Sequence, residues 1–191
     1  MGDIYLTSDL HVGHDNIVKY CNRPCTIENH DEFLVESLNS HIKPNDTVYH
    51  IGDFTIQWKG QENIDKITNF INKLNGRWIF IKGNHDNARI LKEIINNTTK
   101  KHEFFGSDYF GIIKDVNVHM YHFPIDNWDK MGYGGVHFHG HTHNKSPEYK
   151  PNRFSVCFDL EFRPFNFDEF EFKTGREVRE WYETINMLKE I

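Results

Sequence analysis

Short apolar runs and longer stretches of helical periodicity alternate along the first half of the chain. Ile4-Tyr5-Leu6-Thr7, Val48-Tyr49-His50-Ile51 and Trp78-Ile79-Phe80-Ile81 are dominated by β-branched and aromatic side chains. Their length and near-continuous hydrophobicity read as buried strands. Between and around them, residues 31–42 carry Phe33, Leu34, Leu38 and Ile42 at helical spacing, and residues 62–74 carry Ile64, Ile67, Phe70, Ile71 and Leu74. Both segments predict amphipathic helices that face a core. A further helix is expected over 88–95. The pattern then changes to short β runs at 109–116, 118–121, 136–139 and 154–158, and a last helix over 175–191 puts Val178, Trp181, Tyr182, Ile185 and Leu188 on one face. A mixed sheet, or two packed sheets with helices outside, closes such a set of elements.

Polar residues gather just past the apolar runs. The groups are Asp9-Leu10-His11, Gly52-Asp53, Gly83-Asn84-His85-Asp86, His122-Phe123-Pro124 and Gly140-His141-Thr142-His143. Residues two apart on extended backbone point the same way, so Asp9 with His11, and His141 with His143, can converge on one ion. Glycines at 52, 83 and 140 let the backbone turn sharply there. Carboxylate, carboxamide and imidazole together suit borderline divalent ions such as manganese, iron and zinc; calcium prefers oxygen alone.

The order D-x-H, G-D, G-N-H-D, H, G-H-x-H resembles the calcineurin-like metallophosphoesterases, and Ile4 to Arg23 resembles their small, single-domain, phage-type branch. The resemblance runs from Ile4 to Asp159. It implies a four-layer α/β/β/α sandwich of two mixed sheets flanked by helices, and a phosphoesterase with two divalent ions, most often Mn2+, with Fe, Zn, Ni or Mg as alternatives. One ion would be held by Asp9, His11, Asp53 and His143, the other by Asp53, Asn84, His122 and His141, with Asp53 bridging. Such a pair activates a shared hydroxide for in-line attack at phosphorus. His85 is then the candidate general acid, and Asp86 the residue that orients its ring.

The remaining candidates concern substrate. His14, three residues past His11, together with Asn16, Arg23 and Asn84, is expected near the phosphate, Arg23 through its planar fork. The alternatives for these are a solvated histidine, a turn asparagine and an exposed arginine. His119 competes with His122 for the fourth motif, and His50, His137 and His139 default to packing. Many family members place an Asp-Arg pair downstream of Gly-Asp. Here the text is Gly52-Asp53-Phe54-Thr55-Ile56-Gln57, so that arginine is missing.

Composition narrows the reading. The 191 residues, 38% hydrophobic, fit one domain over 1–191 without a linker or repeat. A formal charge of −6 and the lack of a Lys/Arg run disfavour a polymer-gripping basic stripe. A small phosphorylated substrate, nucleotide-like and either diester or monoester, is preferred over DNA or RNA. A nuclease is the alternative, and a non-catalytic scaffold ranks last because every ligand and His85 are retained. No apolar run approaches the roughly 20 residues of a membrane helix. Three cysteines, Cys21, Cys25 and Cys157, are too few for a disulfide framework, and the Cys21/Cys25 spacing lacks the second pair of a zinc site. Free thiols, a cytoplasmic location and a monomer or homodimer are the resulting expectations; Met131 to Gly135 reads as a glycine-rich loop that either connects elements or moves over substrate.

Overall fold

A computed structural model describes residues 2–57, 59–145 and 147–189. Its elements, in chain order, are β1 (Ile4–Thr7), α1 (Asp15–Tyr20), α2 (His30–His41), β2 (Thr47–Ile51), α3 (Gln61–Lys73), β3 (Arg77–Ile81), α4 (Ala88–Asn96), β4 (Glu103–Gly106), β5 (Asp108–Ile113), β6 (Val116–Tyr121), β7 (Val136–His139), β8 (Arg153–Ser155), β9 (Phe165–Asn166) and α5 (Gly175–Lys189). Among the described residues they form two sheets, ordered β4-β3-β2-β1-β9 and β5-β6-β7-β8. In the first, β1 to β4 are parallel and β9 runs antiparallel to β1. In the second, β5 and β6 form an antiparallel hairpin, and β6, β7 and β8 are parallel. Two mixed sheets flanked by helices make the α/β sandwich that the motif order implies.

The near-continuous apolar strands are explained by burial on both faces. Tyr5, Val48, Trp78 and Phe80 point to the helix side, where they meet Leu34 and Leu38 of α2, Ile67, Phe70 and Ile71 of α3, and Leu91, Ile94 and Ile95 of α4. Their alternates, Leu6, Tyr49, Ile51, Ile79 and Ile81, meet Val118, Met120, Val136, Phe138 and Val156 of and beside the second sheet. The helices expected over 31–42, 62–74 and 88–95 match α2, α3 and α4 to within a residue or so, and Asn87 caps α4 by accepting from the N–H of Ile90. Glu190 and Ile191, at the end of the expected last helix, lie outside the described residues, as does the side chain of Leu188.

Two expectations change. The run 109–116 is not one strand: Lys114 and Asp115 both have positive φ (46° and 65°) and make the tight turn between β5 and β6. Such a two-residue turn matches strand twist, but its usual Asn-Gly signal is missing. The Met131 to Gly135 segment is also not a loose loop. Residues Met131–Tyr133 form a 3-10 turn against α5, with Arg179 Nη1 donating to the Gly132 carbonyl and Tyr182 Oη to Met131 Sδ. Trp128 Nε1 further holds the Gly135 carbonyl at 2.8 Å.

Phe80 fills the middle of the helix-facing core and is fully buried. Phe80→Ala is expected to lower unfolding free energy by about 3–5 kcal/mol, measured by urea denaturation of metal-free protein. Tyr133→Ala, at a largely exposed ring, should change it by less than about 0.5 kcal/mol.

Candidate metal centre

Every motif group follows the carboxyl end of a parallel strand, so the loops converge in the crevice beyond those ends. The loop after β1 runs beside the loop after β2: Asp9 N–H donates to the Gly52 carbonyl, His11 N–H to that of Asp53 and Val12 N–H to that of Phe54. Gly52 has φ 88°, and a Cβ there would fall 2.5 Å from His122 Nδ1 and 2.7 Å from the Gly83 Cα. Only glycine fits that approach. The expected extended geometry at the i, i+2 pairs does not occur. Asp9 (φ 58°), His11 (50°), Asp53 (58°), His141 (68°) and His143 (49°) are all left-handed, because β1 and β7 end at Thr7 and His139 and the chain must curl to bring alternate side chains inward.

The side chains meet in two neighbouring groups. Asp9, His11 and His143 form one, and Asp53, His122 and His141 the other, each with ligand atoms within 4.8 Å of one another. Asp53, of the second group, also faces the first. Its Oδ2 is 3.9 Å from His11 Nε2, 3.2 Å from His122 Nε2 and 3.9 Å from His85 Nε2, while Oδ1 accepts from the His85 N–H at 2.8 Å. Asp9 Oδ1 is 3.9 Å from His11 Nε2 and 3.8 Å from His143 Nε2.

These contacts test whether a cation belongs here. The His122 Nδ1–H donates to the Ile51 carbonyl at 2.8 Å, so Nε2 presents a lone pair to a carboxylate oxygen. The His143 Nδ1–H donates likewise to Asp159 Oδ2 at 2.7 Å, and its Nε2 faces Asp9. Among the described residues, neither nitrogen of the buried His11 has a hydrogen-bond partner. Lone pairs aimed at lone pairs repel unless a positive charge sits between them, and buried polar atoms are otherwise paired. Divalent ions fit this donor set.

A proton is the competing occupant. Burial works against charging His143, but the Asp159 bond, the Cys21 thiol beside it and the Asp9 carboxylate outweigh burial and raise its pKa to about 10. Burial also opposes charge on His122, and Asp53 and Asp9 reverse that into a raised pKa. His11 is different: burial dominates and lowers it to about 3. Asp53 is pulled to about 2, since His122, the His85 N–H and His11 overcome the upward push of burial.

The other candidates fall in distinct places. The His85 ring is half-exposed at the mouth, with its centroid 5.6 Å from that of His11. His14 stands 5.6 Å from His11 on the same side, and burial followed by the His85 charge lowers its pKa. Asn84 is exposed beside His85. Asn16 is exposed on α1, and among the described residues no hydrogen bond joins it to the cage. Asp86 is fully enclosed and serves the loop backbone instead of the His85 ring: Oδ2 accepts from the N–H of Asp53 and Gly83, and Oδ1 from that of Phe54.

Arg23 departs furthest from expectation. It is buried, not in the crevice, and all of its N–H donors are occupied. Nε and Nη2 hold the Asp159 carboxylate, Nη2 also holds the Asp9 carbonyl, and Nη1 holds the Leu10 carbonyl and His30 Nε2, at 2.7 to 3.1 Å. No donor remains for a phosphate. Three supporting side chains lie outside the five motif groups. Ser8 Oγ and Cys157 Sγ donate to Asp9 Oδ2 at 2.5 and 3.2 Å, and Asp159 stands behind His143. Asp159 carries the same signal as the ligands, a polar residue just past an apolar run. Cys21, Cys25 and Cys157 are free thiols. Cys21, His143 and Asp159 cluster as well, but the bonds among them and to Arg23 already satisfy the carboxylate.

The family model for the calcineurin-like phosphoesterase superfamily domain matches residues 3–156. The chain belongs to that superfamily. Like other calcineurin-like phosphoesterases it is a phosphoric ester hydrolase whose chemistry uses divalent metal. Among curated relatives, it is 31% identical over 176 residues to the uncharacterized protein MJ1445 of Methanocaldococcus jannaschii, covering 88% of this chain and 89% of that one. It is 26% identical over 172 residues to the Gene 66 protein of Mycobacterium phage L5, covering 75% and 79%, which agrees with the phage-type branch. The solved structure of AQ665 from Aquifex aeolicus, a protein of unknown function, shares the fold at TM-score 0.68 and 20% identity, covering 88% of this phosphoesterase and 97% of that chain.

Two predictions follow from this geometry. An ion held by His143 would have to displace its proton below about pH 10, so affinity should rise with pH. Between about pH 6 and 8, Mn2+ binding by calorimetry should tighten up to about tenfold per pH unit for each proton released. A flat profile would contradict the assignment. Asp86→Asn replaces an acceptor oxygen with an NH2 that faces backbone N–H groups. It should cost about 1–3 kcal/mol in denaturant unfolding.

Proposed function

We propose that this calcineurin-like phosphoesterase binds two divalent ions, Mn2+ by preference, and hydrolyses a small nucleotide-like phosphodiester or phosphomonoester. What supports two ions is the central position of Asp53, whose Oδ2 faces imidazole nitrogens from both groups. Asp9, His11, Asp53 and His143 hold one ion; Asp53, Asn84, His122 and His141 hold the other. When bound, such a pair acts as a Lewis acid that activates water and stabilises charge at the attacking and leaving oxygens of a phosphoryl centre. The chain's own residues do the rest. Asp9 and Asp53 are fixed by hydrogen bonds from Ser8, Cys157 and the N–H groups of His85 and His141, so the ligands need little rearrangement. His85, exposed at the mouth yet within 3.9 Å of Asp53, protonates the leaving oxygen. His14 faces the same opening and contacts the non-bridging phosphate oxygens.

What supports a small substrate with a flat organic group is the cleft beside the cage. It has a volume of about 460 Å3 and is lined by Ile17, Tyr20, Cys21 and residues His141 to Lys145. Tyr20 is 70% exposed there, which gives an aromatic ring a stacking partner, and Lys145 adds a cation. The net charge of −6 favours a small anion drawn in by bound ions over a polyanion held along a basic surface. The ions offset the local negative charge of the cage. No described helix is long and apolar enough to cross a membrane, and action as a cytoplasmic monomer or homodimer over one domain is part of this proposal.

Mn2+-loaded protein should hydrolyse bis-p-nitrophenyl phosphate, and Asp53→Ala should abolish this. His85→Ala should slow a substrate with a poor alkoxide leaving group by about 10²–10⁴-fold and the nitrophenyl ester far less, because nitrophenolate leaves without a proton. Equal losses for both leaving groups would remove His85 as the acid. A panel of cyclic nucleotides, nucleotide diesters, phosphomonoesters and oligonucleotides separates the small-substrate reading from a nuclease.

A further inference from the structure

We infer that Arg23 and Asp159 are positioning residues that preset one metal ligand, His143, and tie its loop to the loop of Asp9. The inference rests on the reading of Asp9, His11, Asp53 and His143 as one ion's ligands. Asp159 is buried in the 3-10 turn Phe158–Leu160 that follows β8. Its Oδ2 accepts the His143 Nδ1–H at 2.7 Å. That bond keeps a proton on Nδ1 and leaves Nε2 as the nitrogen available to an ion, facing Asp9 Oδ1 at 3.8 Å.

The guanidinium of Arg23 completes the device from behind. Its Nε and Nη2 grip both oxygens of Asp159 at 2.7 and 3.1 Å, so that carboxylate cannot turn away from His143. The remaining donors bond the Asp9 and Leu10 carbonyls and His30. One side chain thereby joins the backbone of the first ligand loop to the carboxylate that orients the last ligand. A carboxylate behind a ligating imidazole raises its basicity and holds its orientation. Lysine could not replace Arg23, because a single ammonium lacks the planar fork that serves a carboxylate and two carbonyls at once. Backbone strain gives the arrangement a task. Asp9 and His143 are both left-handed, and both project from loops past the ends of β1 at Thr7 and β7 at His139.

The test reads metal binding and not turnover. Mn2+ titration of wild type should give two sites. In Asp159→Asn, with its fold checked by circular dichroism, one site should weaken about 10–100-fold while the other stays within about twofold of wild type. His143→Ala should weaken the same site. The double variant Asp159→Asn/His143→Ala should lose no more than His143→Ala alone, since Asp159 acts through that ring; a purely structural role would give additive losses. Two unchanged sites in Asp159→Asn, or additive losses, would overturn the inference and leave the metal reading standing. A wild-type chain that binds no divalent ion would overturn both. Zinc-loaded wild type supplies a measurement independent of any variant's folding: proton-nitrogen NMR should show His143 protonated at Nδ1 and metal-bound at Nε2. Binding through Nδ1 would overturn the positioning role.

Discussion

Buried carboxylates and imidazole lone pairs cannot share a small volume without positive charge between them, and this chain brings Asp9, Asp53, His11, His122 and His143 together under that constraint. Much of the surrounding structure makes sense as the means of imposing it. The Ile51 carbonyl takes the outer proton of His122, and Asp159 takes that of His143, so both rings present their other nitrogen inward. Asp86 gathers the N–H groups of Gly83, Asp53 and Phe54 on one carboxylate, which folds two loops together just where Asp53 must stand between the two groups.

The site also sits at the seam between the sheets. Asp9, His11, Asp53 and Asn84 come from the loops of the first sheet, and His122, His141 and His143 from those of the second. Hydrogen bonds cross that seam directly: Ser8 bridges Cys157, Phe158 N–H donates to the Ser8 carbonyl, and His141 N–H reaches the Asp9 carboxylate. Packing of Leu6, Ile51 and Ile81 against Met120, Val136 and Phe138 sets the separation of the two loop groups. The core is therefore part of the cage's geometry and not merely its support.

The three inner strands and the ligand groups at their ends were legible because a strand buried on both faces must be apolar, so a polar residue just beyond it stands out. The helices α2 to α4 were legible from their periodicity. What stayed hidden has physical causes. The Lys114-Asp115 turn puts a lysine at positive φ and gives no Gly or Asn signal. The two-residue β9 is defined by its antiparallel pairing with β1, and the six-residue α1 is too short for a periodicity to show. Arg23 reads in sequence as an exposed loop cation, and only its distant partners, Asp159 foremost, reveal that it is enclosed. The Asp9/His11 and His141/His143 pairs were legible as convergent, but the extended-chain reason for it was not the one the backbone uses.

Those curled backbones have a thermodynamic consequence. Residues with a Cβ in left-handed conformations are disfavoured by about 1–3 kcal/mol each, and Asp9, His11, Asp53, His141 and His143 all adopt them. The folded chain thus concentrates this strain where the ligand loops converge. An ion that binds only the curled form would offset it through mass action, and the supply of metal around the protein would then set how firmly these loops are closed.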